Sequence, residues 1–119
     1  MLDSLQALSD AIAAVVARAA PSVVTVRSHR ALSSGFAWRP GLVVTADEAL
    51  AEDGEITIAA AGGVVMPATL IGRDPSTDVA LLRVPHDSLP AIAFDAPAPA
   101  VGGLALTLGA RDGAPVAAL

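Results

Sequence analysis

The chain has 119 residues, 54% of them apolar, and its twelve acids against seven arginines leave a net charge of −5. That is enough apolar material for one modest domain with a real core, and it excludes a disordered chain. The acidic balance repels phosphate backbones, so nucleic acid is excluded as an expected partner. The absence of cysteine rules out disulfides and thiolate metal sites. No stretch approaches the ~18 consecutive apolar residues of a membrane span, so no membrane partner is expected either. With one Trp, no Tyr and no Lys, the core must be built from Val, Leu, Ile and Ala.

The first predicted element is a helix. Leu5, Leu8, Ile12, Val15, Val16 and Ala19 recur at three- and four-residue spacing. Ser4 or Ser9 is the expected cap, and Pro21 ends the helix because the residue before a proline avoids the α region. From Ser22 the period changes to alternation with β-branched enrichment, which predicts a strand containing Val23 to Ser28. Phe36 to Arg39 is expected as a second strand, turned by Pro40-Gly41 into a third at Leu42 to Thr45. Ser33 and Ser34 read as turn residues before the second strand. Ala46 to Ala51 suits a single helical turn.

Asp53-Gly54 turns into a strand at Glu55 to Ala60, and Gly62-Gly63 turns into another at Val64 to Gly72. Pro67 inside that run implies an edge or a bulge there. Asp74-Pro75 opens a turn before an apolar strand at Val79 to Val84. Pro85, Pro90, Pro97 and Pro99 mark a linker, and Leu104 to Leu108 and Val116 to Leu119 suit two further strands about Arg111-Asp112-Gly113. The expected organisation is a helix over 1–21, an all-β six-stranded barrel over 22–84, a linker over 85–101, and the first strands of an incomplete second barrel over 102–119.

Four segments carry a resemblance. Ser34-Gly35-Phe36 with Gly41-Leu42-Val43-Val44-Thr45 resembles the strand pair that leads to the catalytic histidine in trypsin-like serine proteases of the bacterial HtrA/DegP kind. Gly72 to Leu82, reading GRDPSTDVALL, is similar to the segment bearing that family's catalytic aspartate, and it is the most specific of the four. Ala20-Pro21-Ser22-Val23-Val24 matches the junction of helix and first strand. Val101-Gly102 with Leu104 to Gly109 resembles the opening strand of the second barrel. The resemblance spans nearly the whole chain and covers the N-terminal half of such a protease domain.

It implies a trypsin-like barrel and a triad of serine, histidine and aspartate. Asp78 falls at the aspartate position, as a vestigial triad member; on its own chemistry it also suits a turn-closing Asp that caps nearby backbone N–H groups. The family pattern Thr-Asn-Ala-His corresponds to Thr45-Ala46-Asp47-Glu48, so Glu48 stands where the histidine is expected. A carboxylate cannot replace an imidazole there, because it would repel the neighbouring acid instead of being oriented by it. His29, expected in the first strand, and His86, at the mouth of the linker, read as solvated surface residues. The family's Gly-x-Ser-Gly-Gly nucleophile would lie beyond Leu119, and Ser33 and Ser34 have no glycine-rich oxyanion loop behind them.

Asp47, Glu48 and Asp78 together could hold a hard cation such as Ca²⁺, but without a ligand-spaced loop they read as a solvated acidic patch, and no metal or cofactor is expected. A glycosidase-like carboxylate pair lacks sugar-stacking aromatics. Gly62-Gly63 lacks the strand–glycines–helix order of a phosphate loop. The expected function is that of a non-catalytic, protease-derived scaffold or peptide- and protein-binding module, not an enzyme. The alternative is the N-terminal fragment of an HtrA-family endopeptidase whose nucleophile lies beyond residue 119. Expected partners are a protein or peptide, and a C-terminal fragment or second copy of the chain that completes the second barrel, giving a homodimer or larger assembly. Asp3 and Asp10 interrupt any signal-peptide pattern after Met1, which implies the cytoplasm if Met1 is native, and a periplasmic or membrane-tethered protein if a targeting segment has been trimmed.

Overall fold

The computed structural model describes residues 2–29, 31–50, 54–85, 89–94 and 97–119. Helix α1 spans Leu2–Ala19 and passes into a 3-10 turn at Ala20–Ser22 that contains Pro21. The helix starts ahead of both candidate caps, so Ser4 and Ser9 lie inside it and neither is the N-cap. Asp3 in its first turn and Arg18 in its last complement the helix dipole.

Six strands follow: β1 (Val23–Ser28), β2 (Ala31–Arg39), β3 (Leu42–Ala46), β4 (Ile56–Ala59), β5 (Val65–Asp74) and β6 (Val79–Arg83). All neighbours pair antiparallel, and the order β1-β2-β3-β6-β5-β4 closes on itself through β1 and β4. This is the expected all-β, six-stranded barrel with a preceding helix. Its interior is filled by one residue in two from each strand: Val24 and Val26, Ala37, Val43, Ile56 and Ile58, Met66, Ala80 and Leu82. Leu50, Val84 and Leu89 close the ends.

Several boundaries differ from the sequence reading. Strand β2 starts at Ala31 because β1 pairs with it down to Ser28↔Ala31, which makes Ser33 and Ser34 strand residues and not turn residues. His29 sits with positive φ in the exposed turn after β1 and not within the strand. The bulge in β5 falls between Leu70 and Gly72, not at Pro67. Pro67 pairs with Thr57 of β4, while pairing to β6 begins only at Thr69, so its missing N–H disturbs no second ladder. The helical turn after β3 is a 3-10 turn at Asp47–Ala49. The expected turn residue Asp53 and the histidine His86 lie outside the described residues.

The described part of the proline-rich segment lies along the barrel. Ile92 N–H donates to the Ala37 carbonyl at 2.8 Å, and Phe94 meets Phe36 edge-on with ring centroids 5.8 Å apart. Strands β7 (Thr107–Arg111) and β8 (Ala114–Ala118) then form a two-stranded hairpin, displaced from the expected Leu104–Leu108 and Val116–Leu119. Asp112 and Gly113 both take positive φ at its tip, the conformation a two-residue hairpin loop demands. The hairpin rests on the outside of β1 and β2. Gly113 N–H donates to the Thr25 hydroxyl at 3.1 Å, Ala110 N–H to the Ser34 hydroxyl at 3.0 Å, and Arg27 pairs with Asp112. A Cβ at Gly113 would stand 2.0 Å from the Ala60 carbonyl oxygen, so only glycine lets the tip approach the barrel. This docking explains why β1 is buried on both faces, with Thr25 as well as Val24 and Val26 covered. Strand β8 remains exposed along its length.

Candidate functional site

The site forms where β3 runs out beside β6. Register Ala46↔Val79 sets the end of one strand against the start of the other, so residues 47–48 meet residue 78. Asp78 lies in the left-handed region with φ 58, which an aspartate tolerates better than most side chains. That conformation turns its carbonyl and its carboxylate toward the same 3-10 turn. Asp47 N–H donates to the Asp78 carbonyl at 3.2 Å, and Glu48 N–H donates to Asp78 Oδ1 at 2.8 Å. The structure therefore brings together the two residues singled out from sequence. The Glu48 group that reaches Asp78 is its backbone N–H, while the Glu48 side chain is exposed. Asp78 is a capping aspartate, though the turn it caps lies 30 residues earlier in the chain and not next to it.

Asp47 does not share this arrangement. It is 6% exposed, and its carboxylate turns inward to Arg73, with Nε–Oδ1 at 2.5 Å. Arg73 also reaches the Asp47 carbonyl at 3.5 Å. The three carboxylates of the supposed acidic patch thus face three ways: Asp47 onto Arg73, Asp78 onto a backbone N–H, and Glu48 into solvent. Sequence reasoning missed this ion pair. Its only signal was an arginine next to the Asp74 turn, and nothing local tied it to Asp47.

Beside the turn, Thr45 is buried and donates from its hydroxyl to the Ser34 carbonyl at 2.8 Å, with the Ser33 hydroxyl 3.3 Å away. Gly35 of β2 pairs opposite Thr45 of β3, and a Cβ there would come within 2.8 Å of the Val44 carbonyl. An apolar groove of about 470 Å³ opens here, floored by Gly35, Phe36, Val44 and Thr45, and walled by Val15, Val16 and Ala19 of α1 and by Leu106 and Leu108. Asp78 and Ser34 give it a polar end. Among the described residues no cluster of three or more His, Cys, Asp or Glu is placed to hold a metal ion.

One carboxyl group in the neighbouring turn is perturbed. The Ser76 hydroxyl, then the Thr77 hydroxyl and the Ser76 N–H, hold Asp74 below the ordinary carboxylate value. These bonds, at 2.6, 2.9 and 3.0 Å, fix the loop that delivers Asp78.

Residues 33–118 match the trypsin-like peptidase domain family. The chain is 36% identical over 105 residues to the serine protease Rv3671c of Mycobacterium tuberculosis, covering 83% of this chain and 26% of that protein. It is also 36% identical over 62 residues to a DegP-like periplasmic serine endoprotease of Chlamydia pneumoniae, covering 51% of this chain and 13% of the other. Among solved structures, the inactive form of the Rv3671c protease superposes with a TM-score of 0.72 at 37% identity, over 87% of this chain and 52% of that one. A serine endoprotease from Yersinia pestis gives 0.64 at 33% identity, over 67% and 31%. The chain thus spans about a quarter of the length of the M. tuberculosis relative. The barrel and these matches agree: the chain belongs to the trypsin-like peptidase domain family, in its HtrA-like branch.

Proposed function

We propose that the 119-residue chain works without catalysis, as a protease-derived scaffold or a module that binds protein or peptide. The observation that carries this reading is the pairing at Asp78. The position opposite its carboxylate holds Glu48, whose side chain is exposed and whose bond to Asp78 runs through the backbone. A triad needs an imidazole there, to take a proton from the nucleophile while the carboxylate fixes its tautomer. A carboxylate there is a much weaker base than an imidazole, and as an anion it is repelled by Asp78 instead of being oriented by it. His29, in its exposed turn, is not placed to substitute.

The binding role rests on two features: the apolar groove beside Asp78, and the exposed outer edge of β8, which offers backbone groups to an extended segment. A peptide, or a C-terminal fragment bringing further second-barrel strands, would add there. The test is activity-based. The purified chain should cleave neither casein nor unfolded reporter peptides, and a fluorophosphonate probe should label no serine. Labelling of any serine overturns the reading.

The second reading is that the chain is the N-terminal part of an HtrA-family endopeptidase whose nucleophile follows residue 119. Its support is coverage: this chain matches only 52% of the solved M. tuberculosis protease chain and 31% of the Yersinia pestis one. Under that reading a downstream Gly-x-Ser-Gly-Gly segment completes the second barrel, and Glu48 still leaves the serine without its base.

A further inference from the structure

The outer edge of β8 is open and carries little to defend it. Ala114–Ala118 holds no charged residue, Val116 is 55% exposed, and Leu119 just beyond is 74% exposed. An uncharged, exposed edge of this kind pairs with another copy of itself unless something blocks it. Charged side chains, bulges and prolines are the common blocks. The ladder from Thr107↔Ala118 to Arg111↔Ala114 runs without a bulge, which leaves Pro115.

The register of the hairpin fixes which way Pro115 faces. Asp112-Gly113 is a two-residue loop, so Arg111 and Ala114 exchange both ladder bonds. By alternation Gly109–Val116 and Thr107–Ala118 do the same, while Ala110–Pro115 and Leu108–Ala117 turn their backbone groups away from the hairpin. Ala110 bears this out: its N–H leaves the ladder and donates to the Ser34 hydroxyl at 3.0 Å. Pro115, opposite Ala110, therefore faces the open edge, where a proline costs the β7 ladder nothing. The outward groups of β8 are then the Pro115 carbonyl and the N–H and carbonyl of Ala117.

We propose that Pro115 guards this edge: it bars a second copy of the chain from pairing along β8. A closed two-fold pair of identical edges is antiparallel. Centred on Ala117, it would set Pro115 of each copy opposite Leu119 of the other. The pyrrolidine ring would then meet the facing carbonyl where an N–H is needed, losing a bond and colliding at both ends. A pair centred nearer the hairpin tip sets Pro115 opposite Ala117 and fails for the same reason. A pair slid toward Leu119 escapes the rings, but it keeps Ala117 as the only bonded position within β8 on each copy. That overlap is too short to hold two chains together. The exclusion follows from the edge itself and does not rest on the proposed binding role.

Sedimentation of the full chain over a concentration series tests the proposal. Pro115→Thr should self-associate at least ~10-fold more tightly than the parent, because each end of the pair gains a bond and loses a clash. Pro115→Ala should do so by a smaller margin, since alanine favours strands less than threonine. Adding Ala117→Pro to Pro115→Thr should return association to the parent level, because it removes the central outward N–H and leaves the β7 ladder intact. Amide protection across β7 confirms in each variant that the hairpin has formed. Association unchanged in both Pro115→Thr and Pro115→Ala overturns the proposal. So does tighter association that survives Ala117→Pro, which would place the contact elsewhere. A parent chain whose own association is weakened by Ala117→Pro alone also overturns it, because the β8 edges would then pair in spite of Pro115.

Discussion

The six-stranded barrel and the β7–β8 hairpin are both antiparallel sheet, yet they are held by different means. In the barrel every strand has two neighbours, and Ile58, Leu82, Val24, Val26 and Val43 are fully enclosed. The hairpin has one ladder, a wholly exposed second strand, and an attachment made by Gly113, Ala110 and Asp112 to groups on β1 and β2. Closure removes sheet edges and lets packing dominate, while the open pair relies on a few polar contacts and one close backbone approach. The candidate site sits on the first kind of structure: its turn follows β3 and is hydrogen-bonded to Asp78 just before β6.

The largest effect should come from the barrel interior. Ile58→Ala removes a fully buried side chain from a closed sheet and should cost about 3–4 kcal/mol in urea unfolding. Val116→Ala on β8, at 55% exposure, should change stability by less than ~0.5 kcal/mol. Equal losses at the two positions would erase the contrast.

Arg73→Ala should rank next. It strands the buried Asp47 carboxylate at the root of the site turn, and about 2 kcal/mol is expected, because the arginine is itself about one-third exposed. The loss should be accompanied by NMR shifts at Glu48 and Asp78. Shifts confined to residue 73 would show that the ion pair does not hold the turn.

Gly113→Ala should cost at least ~1 kcal/mol, but locally. Its φ of 83 and the collision with Ala60 should release the hairpin while the barrel stays closed. Hydrogen exchange should therefore speed up across residues 107–118 and stay slow in β1 to β6. Uniform acceleration would mean that the two regions unfold as one.

The smallest effect concerns pH. Asp74 is held below the ordinary carboxylate value in the folded chain, chiefly by the Ser76 hydroxyl. Its contribution is therefore present above the unfolded-state pKa and is lost as pH falls through the folded value. Asp74→Asn should flatten the acid side of the stability profile, below the ordinary carboxylate value, without changing its neutral-to-basic side. An unchanged acid limb would remove this turn from the account.

What could be read from sequence followed the range of the forces involved. Alternation in Val23–Ser28, the Pro40-Gly41 turn and the apolar run at Val79–Val84 are local signals, and they placed the barrel strands within a few residues. The meeting of Glu48 with Asp78 was legible only through the resemblance, which sets residues 48 and 78 at the family's histidine and aspartate positions. Asp47 was not, since its burial depends on Arg73, 26 residues away, and a carboxylate in a polar turn looks solvated until its partner is known. Ser33 and Ser34 looked like turn residues because their polarity suits one, yet pairing with β1 and the docked hairpin make them strand. The start of β7 slipped for the opposite reason: Leu104 to Leu106 are apolar but find no ladder, and hydrophobicity alone does not supply one.

The pairing of positions 48 and 78 can be tested directly by an NMR titration of Glu48→His. An imidazole at position 48, set beside the Asp78 carboxylate, should titrate above the ordinary histidine value of about 6.5, and should return toward it when Asp78→Asn is added. On the proposed non-catalytic reading, the variant should remain without peptidase activity. An imidazole that titrates at or below the ordinary value, or is indifferent to Asp78→Asn, would contradict the reading of this site as the remains of a triad.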